Sequence, residues 1–182
     1  MTYQAAPTPI QTKVDPTRAP LALVRGDAEP AGAGAHTGLP SFGDVVSCYF
    51  PEDETPNSPG IKARPCLILQ MRQASGDSSG RWYALVAYGT SVNLDQTRPG
   101  ELLLDAPESL AAASLHRPSK FVFKRHRLLP FDARYFRANR NKTVVLGRLT
   151  PQDISRARAA IAEVVERATS RRAARSGMRA VG

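Results

Sequence analysis

The stretch of sequence that decides the fold is residues 43–69, GDVVSCYFPEDETPNSPGIKARPCLIL. A short apolar run follows a Gly-Asp turn, thirteen mostly polar residues (51–63) come next, and a second apolar run, Cys66–Leu69, ends the stretch. Apolar runs of this length, bounded by glycine and proline, are typical of strands in a small sheet or barrel. The loop between them carries three prolines and three consecutive acids. A loop that long between adjacent strands is usually functional.

The rest of the chain adds strands and two helices to this pair. Further strands are expected at 81–88, 101–104, 120–128 and 143–149, and a short helix at 107–113. A longer helix begins after Thr150, a good N-cap, has Pro151 at its first position, and shows apolar residues at three- and four-residue spacing as far as Ala168. The expected fold class is therefore α+β: a small, strongly bent antiparallel sheet or SH3-like barrel with a C-terminal helix.

Composition divides the chain into three parts. Residues 1–40 are rich in Ala, Pro, Gly and Thr and are expected to form a disordered tail; residues 41–168 form the folded domain; residues 169–182 form a basic tail. No apolar run approaches 18 residues, and no signal peptide is apparent, so we expect a cytoplasmic protein without a membrane partner. Cys48 and Cys66 are expected to be neighbouring core thiols. The scattered cysteines and histidines predict neither a metal site nor a cofactor.

Charge is distributed unevenly. The net charge is +9, but from Arg117 onward 17 Lys and Arg face 4 Asp and Glu, which gives +13, whereas the preceding residues sum to −4. A clustered basic field favours a nucleic-acid partner over a role in solubility alone. The strand at 120–128 is expected to turn Phe121 and Phe123 inward and to carry Lys120 and Lys124 on a basic outer face.

Four motifs, in this order, resemble the MazF/PemK family of toxin ribonucleases. They are Gly43-Asp44, Arg64-Pro65 before CLIL, the turn Gly89-Thr90-Ser91, and Thr150-Pro151-Gln152-Asp153. The resemblance covers about residues 42–168. It implies a type II toxin: a homodimeric, metal-independent endoribonuclease that cuts single-stranded RNA by attack of the 2′-hydroxyl and is blocked by a cognate antitoxin.

The resemblance also implies a set of site residues. Arg64 would clamp the phosphate and Thr90 would donate a hydrogen bond to it, although Gly89 fits the family's threonine position equally well. Ser119 stands where relatives carry an Asp, so His116 is the substitute candidate for general base and the proton acceptor stays unassigned. The RNA-binding residues are expected to be Lys62, Arg117, Ser119, Lys120, Lys124 and Arg125.

Two other functions compete with this interpretation. The first is a non-catalytic RNA- or DNA-binding module on the same fold, which the missing Asp favours. The second is a gyrase poison of the CcdB type, which would require aromatic residues at the C-terminus. The sequence ends in Ala180-Val181-Gly182 and has none there.

Overall fold

Six strands and two helices make up the part of the chain that the structure, a computed structural model, describes: residues 38–73, 80–140 and 142–178. The strands are β1 Asp44–Cys48, β2 Arg64–Gln73, β3 Trp82–Thr90, β4 Glu101–Leu104, β5 Ser119–Pro130 and β6 Val145–Arg148. The helices are α1 Pro107–Ala112 and α2 Pro151–Met178. The expected disordered tail, up to residue 37, and the end of the expected basic tail, 179–182, lie outside the described residues, as do residues 74–79 and 141.

The strands form one antiparallel sheet in the order β4-β5-β3-β2-β1-β6. Within the described ranges β4 and β6 are the two edges, and the sheet is not closed into a barrel. The α+β class, the antiparallel sheet and the C-terminal helix are therefore confirmed.

Irregular pairing bends the sheet. The register shifts after Val45 on β1, between Ile68 and Gln70 on β2, and between Ala87 and Tyr88 on β3. Extra residues at such bulges bend the strand and increase its twist. Opposite the shift on β3, the β5 register skips residues 123–125, which include Lys124 and Arg125.

Each face of the sheet packs against its own cover. One face packs against α2, and its buried core includes Val45, Leu67, Leu85, Phe121, Phe123, Ala157 and Ile161. The opposite face is covered by the segment after β5, and its core includes Val46, Cys48, Cys66, Ile68, Val86, Tyr135 and Phe136. The predictions that Phe121 and Phe123 point inward and that α2 packs an apolar face on the sheet are confirmed.

The start of α2 is capped as the sequence predicts, but the end is not where it was expected. The Asp153 amide donates to Thr150 Oγ1 at 3.1 Å, and the Thr150 hydroxyl donates to Asp153 Oδ2 at 2.7 Å. The helix continues past Ala168 to Met178. Residues 169–178, expected to be a frayed tail, are thus helical, because this segment is rich in alanine and arginine, which favour the helix strongly.

Cys48 and Cys66 are free and buried, so the prediction of neighbouring core thiols is confirmed. The hydrogen bond with Cys66 and the burial raise the pKa of the Cys48 thiol far above its usual value. The thiol therefore stays protonated and unreactive. No helix in the described ranges is long and apolar enough to cross a membrane.

Candidate nucleic-acid interface

Two arginines contact one tyrosine where β2, β3 and β5 run side by side, and a third arginine lies near them on β5. The guanidinium carbon of Arg125 lies 4.2 Å from the centroid of the Tyr88 ring, and that of Arg64 lies 5.5 Å from it. Arg127 lies two residues further along β5 and shares an acidic partner with Arg125. We call Arg64, Arg125 and Arg127 the arginine cluster. Cation–π contacts hold such side chains in place without neutralising their charge.

The strand register brings Arg64 opposite Thr90. Cys66 pairs with Tyr88 in the antiparallel β2–β3 ladder, and two residues further along each strand stand Arg64 and Thr90. Residues two apart project from the same face of a strand. All of these side chains therefore belong to the face of the sheet that contains Cys66.

Gly89 is required by the close approach of the two strands. A Cβ atom at this position would lie 2.0 Å from the Pro65 carbonyl oxygen. No side chain fits there, so the sheet is held tightly beside Arg64. The sequence left open whether Gly89 or Thr90 corresponds to the family's threonine; here only Thr90 brings a hydroxyl to this place.

Arg64 and Thr90 both keep hydrogen-bond donors to offer. Arg64 is half-buried, and among the described residues its guanidinium has no hydrogen bond or ion pair. Thr90 Oγ1 accepts a hydrogen bond from the Val92 amide at 3.2 Å, which leaves the hydroxyl hydrogen free to be donated. A fork of guanidinium donors beside a hydroxyl is suited to the oxygens of a phosphate.

One carboxylate from the loop 51–63 already occupies the other side of the arginine cluster. Asp53 Oδ2 lies 3.3 Å from Arg125 Nη2, and Asp53 Oδ1 lies 3.5 Å from Arg127 Nη2. The Asp53 side chain is 65% exposed. The Asp53 carboxylate therefore already pairs with Arg125 and Arg127. Because its side chain is mostly exposed, another anion can replace it.

A cavity of about 290 Å³ adjoins the cluster. Tyr88 and Thr90 form one wall, and Asn93, Gln96, Glu101 and Lys120 form much of the rest. Tyr88 and Thr90 are therefore shared between the arginine cluster and the cavity.

Lys120 is not on the exposed basic face that the sequence predicted. It is 6% exposed, and its Nζ donates to Glu101 Oε2 at 3.0 Å and to the Gln96 carbonyl oxygen at 3.0 Å. The edge strand β4 and the loop before it pack over this part of β5, and a buried ammonium needs such partners. Lys120 is a fixed part of the cavity wall.

The remaining predicted residues are spread around the site. Lys62, Lys124, His116 and Arg117 are exposed, and Ser119 is buried and donates to the Arg117 carbonyl oxygen at 3.1 Å. Within the described ranges, neither His116 nor Arg117 has a contact with Arg64 or Thr90, and neither lines the cavity. The structure thus brings together Arg64, Thr90 and Arg125 and places Lys120 beside them, and no described hydrogen bond, ion pair or ring contact links His116 to them.

Sequence reasoning missed several residues of this region, among them Tyr88, Asp53 and Glu101. Tyr88 had a usable signal, because it lies two residues before Thr90 on a strand and must share its face. Asp53 is one of three consecutive loop acids, and the sequence does not distinguish it from Glu52 and Glu54. Glu101 had no signal, since its partner Lys120 is 19 residues away along the chain.

In the described ranges no group of three or more histidine, cysteine, aspartate or glutamate side chains is placed to hold a metal ion. No protein-family model matches the chain, and no curated protein sequence matches it.

Proposed function

We propose that the protein binds single-stranded RNA across the arginine cluster and cuts it by attack of a ribose 2′-hydroxyl on the neighbouring phosphate, without a metal ion. The observation that carries this proposal is the pair Arg64 and Thr90, which face one another on adjacent strands with donors to spare. Arg125 and Arg127 extend the positive surface along β5. The strong positive charge of the chain from Arg117 onward supports a polyanionic ligand.

In this mechanism, Arg64 grips two phosphate oxygens and Thr90 donates to one of them. Negative charge accumulates on these oxygens as the 2′-oxygen attacks and the 5′-oxygen leaves. Donors that are already in place stabilise that charge without having to reorganise. The bond from phosphorus to the 2′-oxygen forms as the bond to the 5′-oxygen breaks; water takes the 2′-hydroxyl proton and supplies one to the 5′-oxygen, so the products are a 2′,3′-cyclic phosphate and a free 5′-hydroxyl.

A wider proposal follows from the resemblance of the sequence motifs. The protein acts in the cytoplasm as the toxin of a type II toxin–antitoxin pair, as a homodimer whose RNA groove is closed off by an antitoxin segment. The bent sheet then corresponds to the SH3-like barrel of MazF/PemK proteins. A dimer would also enlarge the apolar core of a domain of this size.

A second candidate function is an RNA- or DNA-binding module without catalysis. The two carboxylates at the site favour it, because Asp53 is paired with two arginines and Glu101 with Lys120. Both carboxylates are therefore already engaged by cations, and among the described residues His116 makes no hydrogen bond or ion pair with Arg64 or Thr90. The binding module would retain the arginine cluster and cut nothing.

One pair of variants separates the two functions. We expect Arg64→Ala to reduce RNA cleavage by about 10²-fold or more while changing RNA affinity far less, because Arg64 meets its full complement of charge only in the transition state. Cleavage rates are measured on a labelled single-stranded RNA, in EDTA, with end-group analysis for 2′,3′-cyclic phosphate. Arg171→Ala, which removes the same charge from an exposed position on α2, is the control.

The outcomes are distinct. Cleavage that needs added Mg²⁺, or an equal loss of affinity and cleavage in Arg64→Ala, would contradict the proposed mechanism. RNA binding by a wild type that cuts nothing would establish the binding module instead. Growth arrest on induction of the wild type but not of Arg64→Ala tests the toxin role in cells, and light scattering tests the homodimer.

A further inference from the structure

The cavity beside the arginine cluster has the size and the polar groups of a site that recognises one nucleobase. It holds about 290 Å³, close to the lower end of the range for ligand sites, which suits a single nucleobase. Its wall contains Tyr88, whose ring is of the type on which RNA-binding proteins stack bases. Because Tyr88 both lines the cavity and lies under Arg125, the cavity and the arginine cluster adjoin one another.

The polar groups of the wall are held in a fixed arrangement. Lys120 and Glu101 form an ion pair with side chains only 7% and 10% exposed. Glu101 Oε2 also accepts from the Arg98 amide at 3.0 Å, so both described bonds of the carboxylate use this one oxygen. Lys120 Nζ spends two of its three N–H groups on Glu101 and on the Gln96 carbonyl oxygen.

One hydrogen-bond acceptor of Glu101 and one hydrogen-bond donor of Lys120 therefore remain unused at this ion pair among the described residues. Glu101 Oε1 has no described partner, and Lys120 keeps one N–H. A base that fits this pair offers a carbonyl oxygen to the ammonium and an adjacent ring N–H to the carboxylate. Guanine does so through O6 and N1–H, and its N2 amino group adds a second donor for the same carboxylate oxygen. Uracil offers the first two contacts only, and adenine and cytosine lack the combination of carbonyl oxygen and neighbouring ring N–H on this edge.

We infer that the cavity between β3, β4 and β5 is a base-specificity pocket, in which Glu101 and Lys120 select guanine beside the arginine cluster, where the proposed function places a phosphate. For its place in an RNA chain the inference rests on the proposed function, whereas the selection of guanine does not require cleavage. Charge-assisted contacts of this kind discriminate between bases by about tenfold or more.

The first experiment uses the wild-type protein and the four ribonucleoside 5′-monophosphates in calorimetric titrations. All four carry the same phosphate and ribose, so a difference in affinity reports on the base alone. We expect GMP to bind at least about tenfold more tightly than AMP and CMP, with UMP between them. Equal affinities for the four would overturn the inference, whether or not the protein cuts RNA.

The second experiment replaces the accepting oxygen with a donor. Glu101→Gln keeps the shape of the side chain and an oxygen for Lys120, but its amide N–H₂ opposes the N–H groups of guanine. We expect the preference for GMP to fall about tenfold, and Glu108→Gln, an exposed glutamate on α1, to leave it unchanged. A folded Glu101→Gln variant with an intact preference would overturn the inference. Should the variant fail to fold, the comparison of the four nucleotides on the wild type decides alone.

A third experiment links the pocket to the proposed cleavage. Cleavage of a randomised RNA library by the wild type should give sites that share guanine at one position. Guanine selection in the titrations with no cleavage of any RNA would uphold the pocket and count against the nuclease. Cleavage with no preferred base at any position would uphold the nuclease and overturn the pocket.

Discussion

Two ion pairs on the same strand, β5, differ in nearly every physical respect. Lys120 and Glu101 form a pair with side chains 7% and 10% exposed, fixed further by backbone groups. Arg125 and Arg127 share Asp53, whose side chain is 65% exposed and comes from a loop. A buried pair is held because separation would leave a charge without solvent or partner. An exposed pair is weak and exchangeable, so the first shapes the site and the second can yield to a ligand.

The largest effect should come from breaking the buried pair. Glu101→Ala leaves the Lys120 ammonium buried without a carboxylate, and we expect a loss of about 3–5 kcal/mol in the free energy of unfolding. Urea denaturation measures it. The double variant Lys120→Met/Glu101→Leu removes both charges and should recover most of that loss. A loss below about 1 kcal/mol for Glu101→Ala would mean that this pair behaves like an exposed one.

A third carboxylate, that of Asp153, extends the comparison because it is buried yet accepts hydrogen bonds from several groups. Asp153 is 1% exposed. Burial alone would raise its pKa, but hydrogen bonds from Ser109, Thr150 and Arg156 outweigh burial and hold the pKa below its usual value. The folded-state pKa is therefore lower than the unfolded one. The stabilisation is present above about pH 4 and is lost as the pH falls through the folded-state pKa.

We expect Asp153→Asn to lower the free energy of unfolding by about 1–3 kcal/mol at pH 7 and to flatten the fall in stability below pH 4. Denaturation curves between pH 7 and pH 3 measure both effects. Asp105→Asn is the control, since Asp105 is exposed and has no hydrogen bond or ion pair among the described residues. If Asp153→Asn leaves the fall in the free energy of unfolding below pH 4 unchanged, the cap at the start of α2 does not contribute to the pH dependence of stability.

The exposed pair should respond in binding and not in stability. Asp53→Asn removes the carboxylate that competes with phosphate for Arg125 and Arg127, and we expect RNA affinity at low salt to rise by up to about fivefold. The free energy of unfolding should change by less than about 1 kcal/mol. Asp105→Asn makes the same charge change at another exposed position. Equal gains in the two variants would indicate a general charge effect without competition at the cluster.

The smallest effect is expected where a cation is exposed and has no described partner. Lys124→Gln should lower the slope of log affinity against log salt by about 0.7 if Lys124 contacts one phosphate of single-stranded RNA. Affinity at a single salt concentration should change little. Binding titrations at several salt concentrations provide the slope, and Arg172→Gln on α2 serves as the control. An unchanged slope would place Lys124 outside the groove.

The same contrast explains what could be predicted from the sequence. The strands, both helices and the cap at Thr150 follow from local patterns, namely apolar periodicity and turn residues. Closure of the sheet depends on whether β4 and β6 meet, and no local pattern specifies that contact. The end of α2 was misjudged because alanine and arginine in a basic tail are also strong helix formers.

The candidate site, too, could be predicted only where local patterns determine it. The structure brings Arg64 and Thr90 together because antiparallel pairing fixes their register. Lys120 was assigned to the wrong environment, since strand alternation gives its face but not what covers that face. The cover is β4 and its preceding loop, and Glu101 is recognisable as a partner only in three dimensions.

The loop 51–63 is anchored on both sides of Asp53, so any ligand of the arginine cluster must bind tightly enough to displace a tethered carboxylate. Pro51 is buried, and the Asn57 carbonyl oxygen accepts a hydrogen bond from the Tyr135 hydroxyl at 3.1 Å, so Asp53 lies between two fixed points. A carboxylate tethered so closely returns to the arginines as an intramolecular competitor, at an effective concentration in the millimolar range. A single free phosphate must outcompete it alone. Under the proposed function, a chain of phosphates that also contacts Arg64 would compete with Asp53 as a multivalent ligand, so the tether would favour long polyanions over small ones.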